Sequence, residues 1–206
     1  MIKNRELEIK MMLLPGDIAP IKNFIKSLYL LNNKQIIHMT AYYYDTADHS
    51  LSHNMLTYRV RKENSRYIAT IKGKPQTINF ITNRLEINRP VNSIKADINV
   101  FSDIELIPAL ADIVKDNTLT PLVTNNFKRQ QYVLFINNSK IELVIDTGFI
   151  YAGIYKAPIC ELELELKTGQ ADDLLLLATT LQKKFSLKPS LSSKFSRGLN
   201  LINYLK

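Results

Sequence analysis

Two stretches of this chain alternate charged and apolar residues in a way that could gather several charges on one side of a β-strand. The first reads Glu-Leu-Glu-Ile-Lys from Glu6, and the second reads Glu-Leu-Glu-Leu-Glu-Leu from Glu161. Because side chains in a strand point alternately to opposite faces, each stretch would place its charges on one face and its leucines or isoleucine on the other. Carboxylates crowded on one face repel one another and are costly to desolvate, so they need cations close by. A divalent metal ion is the usual partner for such a group.

Basic residues show the same two-residue spacing on other strand-like segments. Arg59 and Arg61 would share one face of a strand, and Arg84 would lie beside Glu86 on another. Taken alone, each strand could send its charges to solvent, as in an ordinary β-sandwich. Charges of both signs recur at this spacing, however, on strands from both ends of the chain. This recurrence favours a closed antiparallel barrel whose interior is charged and whose apolar exterior is covered by helices.

Length and composition predict one ordinary globular domain. The chain has 206 residues, of which 46% are hydrophobic and 22% are charged, and a chain of this kind can bury a core. Its single cysteine, Cys160, cannot form an internal disulfide, and the first residues contain no apolar signal segment. These features predict a reducing, cytoplasmic setting. No apolar run approaches the roughly 20 residues that a membrane helix needs, so no membrane partner is expected.

The net charge is basic. The chain carries 27 Lys and Arg against 19 Asp and Glu, which leaves +8 at neutral pH. This excess would suit nucleic acid, an acidic membrane surface or a phosphate-rich small molecule. Charge alone does not choose among them, but the basic residues form no tail, and several stand two apart within strand-like segments. That pattern favours a lined cavity over an exposed basic stripe, so we expect a small-molecule partner and no nucleic acid.

Turn residues divide the chain into segments with the alternation of β-strands. Asn64 and Ser65 mark a tight turn between two of these segments, and Asn137 and Asn138 mark a β-hairpin further along. The predicted fold class is therefore α+β, with a closed antiparallel barrel of about eight strands and helices packed on the outside. The predicted strands are Asn4–Met12, Gln35–Asp45, Met55–Glu63, Arg66–Gly73, Thr77–Arg89, Leu119–Ile136, Lys140–Asp146 and Ile159–Lys167.

Helical spacing of apolar residues predicts four helical regions within a single domain that spans residues 1–206. Residues 93–117 are predicted to form a helical insertion, and residues from about 170 to 206 are predicted to form C-terminal helices. The first predicted helix follows Asp17, and its apolar face consists of Ile21, Phe24, Ile25, Leu28 and Leu31. The apolar face of the insertion consists of Leu106, Leu110, Ile113 and Val114. The two C-terminal helices are predicted at Asp172–Phe185 and Lys194–Tyr204.

A family resemblance rests on motifs that follow one another along almost the entire chain. The run from Glu6 to Lys10 resembles the ExExK signature of the CYTH family, the triphosphate tunnel metalloenzymes. That signature alone is weak, because short charged alternations are common, but the ordered series of motifs is specific. The further motifs are Tyr43-Tyr44-Asp45-Thr46, Arg59-Val60-Arg61, Ile71-Lys72-Gly73, Arg84-Leu85-Glu86, Lys128-Arg129, Asp146 before Gly148, Glu161 to Glu165, and Ser193-Lys194 with Arg197-Gly198.

The resemblance implies a tunnel, open at both ends, that binds a linear triphosphate together with Mg²⁺ or Mn²⁺. Arginine forks match phosphate oxygens bidentately, so the chemistry of the basic residues agrees with this expectation. A monomer or homodimer with a small-molecule triphosphate substrate is expected. The implied roles are substrate binding by Lys10, Arg59, Arg61, Lys72, Arg84, Arg129, Lys194 and Arg197, metal binding by Glu6, Glu8, Glu161, Glu163 and Glu165, and catalysis by Lys10, Asp146 and Glu163.

Members of this family differ in substrate, and several activities stay open at this point. The segment from Tyr43 to Asp48 and the run from Glu161 to Leu166 most resemble bacterial inorganic triphosphatases, which would release pyrophosphate and phosphate. A class IV adenylyl cyclase would need a nucleoside pocket, and a thiamine triphosphatase would need an aromatic platform. An RNA triphosphatase and a phosphate-binding module without catalysis are the remaining alternatives. Metal-dependent turnover separates the module from the enzymes.

Overall fold

The computed structural model describes residues 4–28, 32–104 and 110–203. Short 3-10 turns lie at Pro15–Asp17 and Ile98–Phe101, and the other elements are helices and strands. In chain order these are β1 (Arg5–Met12), α1 (Ile18–Leu28), β2 (Asn32–Asp45), α2 (Ser50–His53), β3 (Thr57–Glu63), β4 (Arg66–Lys72), β5 (Gln76–Ile78), β6 (Ile81–Val91), α3 (Leu110–Val114), β7 (Thr120–Ile136), β8 (Ser139–Ala152), β9 (Tyr155–Thr168), α4 (Ala171–Phe185), β10 (Lys188–Pro189) and α5 (Lys194–Asn203).

Eight of the strands close into an antiparallel barrel. They follow the order β1, β9, β8, β7, β2, β3, β4 and β6, and β6 pairs back onto β1. In that closing pair Glu6 lies opposite Arg84, and Glu8 lies opposite Thr82. Strands β5 and β10 extend the sheet beside β6 and β1. The predicted fold class, a closed antiparallel barrel of eight strands with helices outside, is confirmed.

The apolar exterior is buried under helices on two sides, which leaves the charged residues of each strand on the inside. On one side α1 and α4 cover β1, β7, β8 and β9, and the contact buries Ile21, Leu177 and Leu143 among others. On the other side α3 and the preceding 3-10 turn cover β3 and β4, where Val60 and Ile71 are fully buried. Alternation along each strand therefore sends one residue to a hydrophobic core and the next to the barrel interior.

Helix α5 packs against the barrel beside the cavity. Phe195 at its start joins a buried cluster with inward-facing residues of β2, β7, β8 and β9, including Val123 and Ile150. Gly198 lets the helix come this close, because a Cβ atom there would lie 2.4 Å from Cγ1 of Val123. The structure confirms the closed barrel, and the opening of the tunnel at both of its ends stays a prediction.

Several element boundaries differ from those predicted. The predicted strand Thr77–Arg89 is split into β5 and β6 by Asn79 and Phe80, which both have positive φ angles, 49° and 65°. The region 93–117 was predicted to be helical, but its described residues contain only the 3-10 turn at Ile98–Phe101 and the short helix α3. Strand β8 continues past Asp146 to Ala152. Leu31, Leu106 and Tyr204 belong to predicted helices but lie outside the described residues.

The contact between Gly198 and Val123 predicts the effect of a small substitution. We expect Gly198→Ala to lower the free energy of unfolding by about 1–3 kcal/mol, because the added methyl group displaces Val123 or moves α5 outward. Urea denaturation at constant pH measures the change. The control is Asn200→Ala, which alters an exposed residue of the same helix and should change stability by less than about 0.5 kcal/mol. A Gly198→Ala protein as stable as the parent would contradict the close packing of α5.

Candidate active site

A cavity of about 420 Å³ lies inside the barrel and is lined by charges of both signs. Most of the predicted site residues line it. Asp146, Glu161 and Arg197 do not line the cavity, and the first two are fully buried behind its wall. Exposed Asn4 and Arg5 and half-buried Lys167 mark the end at which the cavity reaches solvent. The charged lining residues are Arg5, Glu6, Glu8, Lys10, Arg59, Arg61, Glu63, Lys72, Arg84, Glu86, Arg129, Glu142, Glu163, Glu165, Lys167 and Lys194.

Three carboxylates form a compact acidic group toward the α5 end. Asp146, Glu161 and Glu163 each have an oxygen atom within 4.8 Å of the others. Strand register accounts for this proximity, since Asp146 on β8 lies directly opposite Glu161 on β9. Lys194, at the start of α5, places its ammonium nitrogen 2.8 Å from Asp146 Oδ2, 3.0 Å from Glu163 Oε1 and in contact with Glu161. A single lysine thus contacts all three acids.

Two arginines and a second lysine complete this group. Arg129 donates from Nε and Nη2 to both oxygens of Asp146, at 2.8 and 2.7 Å, and Nη2 also donates to Glu163. Lys10 Nζ lies 3.1 Å from Glu163 Oε1. Arg197 Nη2 donates to Glu161 Oε2 at 2.5 Å. In this structure Arg197 therefore ties α5 to a carboxylate outside the cavity lining, and its predicted contact with substrate has no geometric support.

A second ionic group lies where β1, β4 and β6 meet. Lys72 Nζ is 2.8 Å from Glu6 and 2.6 Å from Glu86. Arg84 donates from Nε to Glu6 and from Nη2 to Glu8, each at 2.8 Å. Two of the predicted metal ligands, Glu6 and Glu8, are thus already paired with cations. Burial raises the pKa of Glu6. Burial would also raise the pKa of Glu86, but Lys72, Glu6 and Arg59 together hold it well below the usual value.

The wall formed by β3 holds two arginines with little negative charge beside them. Arg61 donates from Nε to Glu63 at 2.5 Å and from Nη1 to Thr70 at 2.8 Å. Arg59 contacts Thr70 through Nη2 at 3.3 Å, and its buried Nε has no hydrogen-bond partner. Among the described residues no carboxylate forms an ion pair with Arg59. Burial and the neighbouring charge of Arg59 lower the pKa of Arg61, so this wall has unsatisfied positive charge.

The ionisation states follow from competition between burial and charge. Burial would raise the pKa of Glu163, but Lys194, Lys10 and Arg129 hold it well below the usual value. Burial would lower the pKa of Lys10, but Glu163 and Glu8 raise it above the ordinary lysine value. Near neutral pH, Glu163 is therefore an anion, and Lys10 is a cation that cannot serve as a base. Burial raises the pKa of Glu165 to about 7 despite the ion pair with Lys167.

The acidic group fits a divalent cation. Carboxylate oxygens are the ligands that Mg²⁺ and Mn²⁺ prefer, and the three acids offer them within one small region. Oε1 of Glu161 is buried without a hydrogen bond of good geometry, although the Lys194 ammonium group is in ion-pair contact with it. Glu8 and Glu165 lie directly opposite each other on β1 and β9, next to the pair formed by Lys10 and Glu163. Oxygen ligands from both strands are thus close together.

Sequence reasoning missed several residues of the cavity. Tyr43, Phe127 and Phe195 form part of its wall, and Glu86 binds Lys72 within it. Glu86 stands two residues from Arg84, so the same spacing that identified Arg84 could have identified it as a site residue. The aromatic residues carried no such signal, because an aromatic side chain on a strand most often packs in a hydrophobic core.

The fold and the charged cavity define the class of protein to which this chain belongs. The CYTH domain matches residues 4–199, and the chain is therefore a member of the CYTH domain family. It is 28% identical to the inorganic triphosphatase of Haemophilus influenzae over 198 residues, which cover 94% of this chain and 54% of that protein. The chain thus spans about half the length of this curated relative. Among the described residues, no helix is long and apolar enough to cross a membrane.

Solved structures share the fold at low sequence identity. A putative adenylyl cyclase from Hippeastrum, described as having a dominant triphosphatase activity, has a TM-score of 0.62 at 15% identity, and the match covers 93% of each chain. A protein of Pyrococcus horikoshii has a TM-score of 0.58 at 17% identity over 96% of this chain and 99% of its own. The mimivirus capping enzyme triphosphatase has a TM-score of 0.54 at 15% identity over 86% and 88%. At these identities the likeness shows the fold alone.

The contacts of Lys194 predict a large effect on stability. We expect Lys194→Met to lower the free energy of unfolding by about 3–5 kcal/mol, because removing one partner of a buried ionic group leaves the other charges uncompensated. Urea denaturation in metal-free buffer measures the loss. The control is Lys167→Met, since Lys167 is 35% exposed and pairs with Glu165 and Glu142 near the mouth. Exposed pairs contribute at most about 1 kcal/mol, so equal losses in the two variants would contradict the structural role of Lys194.

Proposed function

We propose that this protein hydrolyses inorganic triphosphate to pyrophosphate and phosphate inside the barrel, with Mg²⁺ or Mn²⁺ as cofactor. Membership of the CYTH domain family and the likeness to a triphosphatase support hydrolysis of a triphosphate. The observation that carries the finer proposal is the division of the cavity. One wall holds Arg59, which forms no ion pair among the described residues, and the opposite wall holds Glu163, behind which Asp146 and Glu161 complete a compact carboxylate group. A linear phosphate chain with bound cations needs both.

The substrate side of the site is the wall of β3 with its neighbours on β4 and β6. A triphosphate carries several negative charges at neutral pH, and arginine forks bind phosphate oxygens through paired hydrogen bonds. Nε of Arg59 is buried without a hydrogen-bond partner among the described residues, and Arg61 beside it binds Glu63 and Thr70. Lys72 and Arg84 share their charge with carboxylates and would add to the positive field. Arg129 and Lys194 are fully engaged by the acidic group, so their main role is to hold those carboxylates in place.

The metal side of the site is the group of Asp146, Glu161 and Glu163, with Glu8 and Glu165 on the adjoining strands. When bound, a divalent ion there would neutralise phosphoryl oxygens and make a water molecule a stronger nucleophile. Arg129 and Lys194 fix the carboxylates so that their oxygens keep one arrangement. Glu6 lines the cavity and is paired with two cations, as Glu161 is, and its role as a metal ligand stays a prediction.

The chain's own residues supply charge and orientation to the reaction. A water oxygen forms a bond to the terminal phosphorus, the bridging P–O bond breaks, and pyrophosphate leaves with the bonding electrons while the water proton passes to solvent. Lys10 keeps its proton and faces the cavity beside Glu163, where it would stabilise the charge that develops on phosphoryl oxygens. Asp146 is fully buried and held by Arg129 and Lys194, so its proposed role is to keep its carboxylate oxygens in a fixed position within the acidic group.

The setting of the protein follows from the sequence and stays a prediction. We expect a cytoplasmic enzyme, a monomer or homodimer, that acts on a small-molecule triphosphate and binds neither nucleic acid nor membrane. These expectations rest on the single Cys160 and on charges arranged within strands.

A phosphate-release screen tests the proposed function. Purified protein is incubated with tripolyphosphate, ATP, thiamine triphosphate or longer polyphosphate, each with Mg²⁺, with Mn²⁺ and with a chelator. We expect release of orthophosphate and pyrophosphate from tripolyphosphate that depends on metal and exceeds release from the other substrates. Formation of cyclic AMP from ATP would favour the cyclase instead. Binding of tripolyphosphate without any turnover over hours would favour a phosphate-binding module.

Replacing a single carboxylate tests the metal side. We expect Glu163→Gln to reduce turnover of tripolyphosphate by about 100-fold or more and to raise the metal concentration needed for half-maximal rate, because an amide ligates a hard cation less well. Metal titrations of the steady-state rate measure both effects. Asp103→Asn is the control, since Asp103 is exposed and pairs with Arg89 away from the cavity. An unchanged metal requirement in Glu163→Gln would argue against ligation by Glu163.

A further inference from the structure

Tyr43 lies at the junction between the arginine wall and helix α5. It stands directly opposite Arg59 in the pairing of β2 with β3. Its side chain lines the cavity and is only 6% exposed. The hydroxyl group of a buried tyrosine needs a polar partner, and the side chain of Arg59 lies beside the Tyr43 ring. Neither the acidic group nor the ionic group around Glu6 explains why a tyrosine occupies this position.

Two contacts hold the Tyr43 ring. The ring stacks on that of Phe195, with centroids 5.2 Å apart and planes inclined by 8°. The guanidinium carbon of Arg59 lies 5.9 Å from the centre of the Tyr43 ring. Burial would raise the pKa of Tyr43, but Arg59 and Lys194 lower it. The phenol is therefore fixed between an aromatic ring on one side and a cation on the other.

Arg59 is held differently from the other cavity arginines. Arg84 and Arg129 each donate to two carboxylates, and Arg61 donates to Glu63. Among the described residues, Arg59 has only the long contact with Thr70, the contact with the Tyr43 ring and a buried Nε without a hydrogen-bond partner. A carboxylate in place of the phenol would fix the guanidinium group but would also cancel its charge. A neutral phenol orients the cation and leaves its charge available to an anion.

We propose that Tyr43 is a positioning residue, which orients Arg59 toward the phosphate chain and is itself fixed by Phe195 of α5. This inference rests on the proposed function to the extent that it takes a phosphate chain as the ligand. Phe195 follows Lys194, which contacts the three carboxylates on the other wall. The first turn of α5 thereby contacts both walls of the site. Tyr43 acts on substrate only through Arg59, so its contribution to binding requires that arginine.

A double-mutant cycle with Tyr43→Phe and Arg59→Ala tests the proposal. Binding of tripolyphosphate in metal-free buffer is measured by titration calorimetry. We expect Tyr43→Phe to weaken binding by about tenfold, because it removes the hydroxyl group that orients a charged donor but keeps the stacked ring. Arg59→Ala should weaken binding more. The double variant should bind as weakly as Arg59→Ala alone, since contacts that act through one another are not additive.

Two controls separate positioning from a general structural effect. Tyr42→Phe alters the neighbouring tyrosine, which packs on the outside of the barrel, and should leave binding within about twofold of the parent. Phe195→Leu removes the stacking partner and should weaken binding in the parent but not in the Arg59→Ala background. Tyr43→Phe should keep the melting temperature within about 2 °C of the parent, which a residue needed for folding would not.

The outcomes distinguish this inference from the proposed function. An equal loss of binding from Tyr43→Phe with and without Arg59 would overturn the positioning role and indicate direct contact with the ligand. No loss in either background would overturn it as well. The ¹H–¹⁵N resonance of Arg59 Nε, which the Arg59→Lys variant assigns, is a readout that needs no substrate. The chemical shift of this resonance should change in Tyr43→Phe and not in Tyr42→Phe. If that resonance moves while the parent protein fails to bind tripolyphosphate, the contact stands and the proposed substrate is wrong.

Discussion

The pairing of opposite charges inside a closed barrel is the interaction on which the rest of this structure depends. A buried charge costs several kcal/mol when it is isolated, and the barrel brings together charged side chains from seven of its eight strands. Closure of β6 onto β1 places Glu6 directly opposite Arg84, so the step that completes the barrel also completes an ionic group. The same closure turns the apolar residues of each strand outward, where helices α1 and α4 bury them. The charged interior and the hydrophobic core outside the barrel therefore both result from the alternation of side chains along each strand.

Helix α5 lies at the part of the barrel that holds the acidic group. Its apolar residues pack against the barrel, and Lys194 and Arg197 bind the buried carboxylates Asp146 and Glu161. The acidic group beside α5 is therefore tightly paired. On the facing wall Phe195 stacks on Tyr43, which lies directly opposite Arg59. In the described part of the chain Arg59 has a buried Nε without a hydrogen-bond partner, so α5 lies next to both a fully paired acidic group and an arginine with a free donor.

Local alternation is the reason that most of the fold could be predicted from the sequence. A period of two residues identifies a strand and also indicates which side chains share a face, so the sequence alone predicts that Glu8, Arg61 and Glu163 lie inside the barrel. The split between β5 and β6 could not be predicted, because Asn79 and Phe80 adopt positive φ angles that their residue types do not require. Residues 93–117 have helical spacing, but in the part of this range that the structure describes the apolar side chains pack against β3 and β4 from largely irregular backbone. Tertiary packing decided that outcome over intrinsic propensity.

The sequence does not tell which charged side chains of the site form ion pairs with one another. Spacing along one strand says which face a residue occupies, but strand order and register decide which charges meet across the barrel. Asp146 reaches Arg129 and Glu161 through two different neighbouring strands. The paired motif Glu6-Leu7-Glu8 suggests metal ligation, yet Lys72 and Arg84 meet it from β4 and β6. Arg197 follows the same pattern, since docking of α5 directs it to Glu161.

The balance of positive and negative side chains in the cavity affects how strongly it would attract the proposed triphosphate and metal ion. Among the described residues, nine cationic and seven acidic side chains line the cavity, and the buried Asp146, Glu161 and Arg197 bring the two signs closer to equality. A nearly neutral interior attracts a bare polyanion less than its arginines alone would, and it attracts a bare divalent cation less than its carboxylates alone would. The proposed substrate with divalent cations bound would be much closer to neutral, and it could contact arginines on one wall and carboxylates on the other. For the proposed function, the charge balance of the barrel would therefore favour binding of the metal-bound substrate over either component alone, with the arginine wall still able to bind the bare polyanion more weakly.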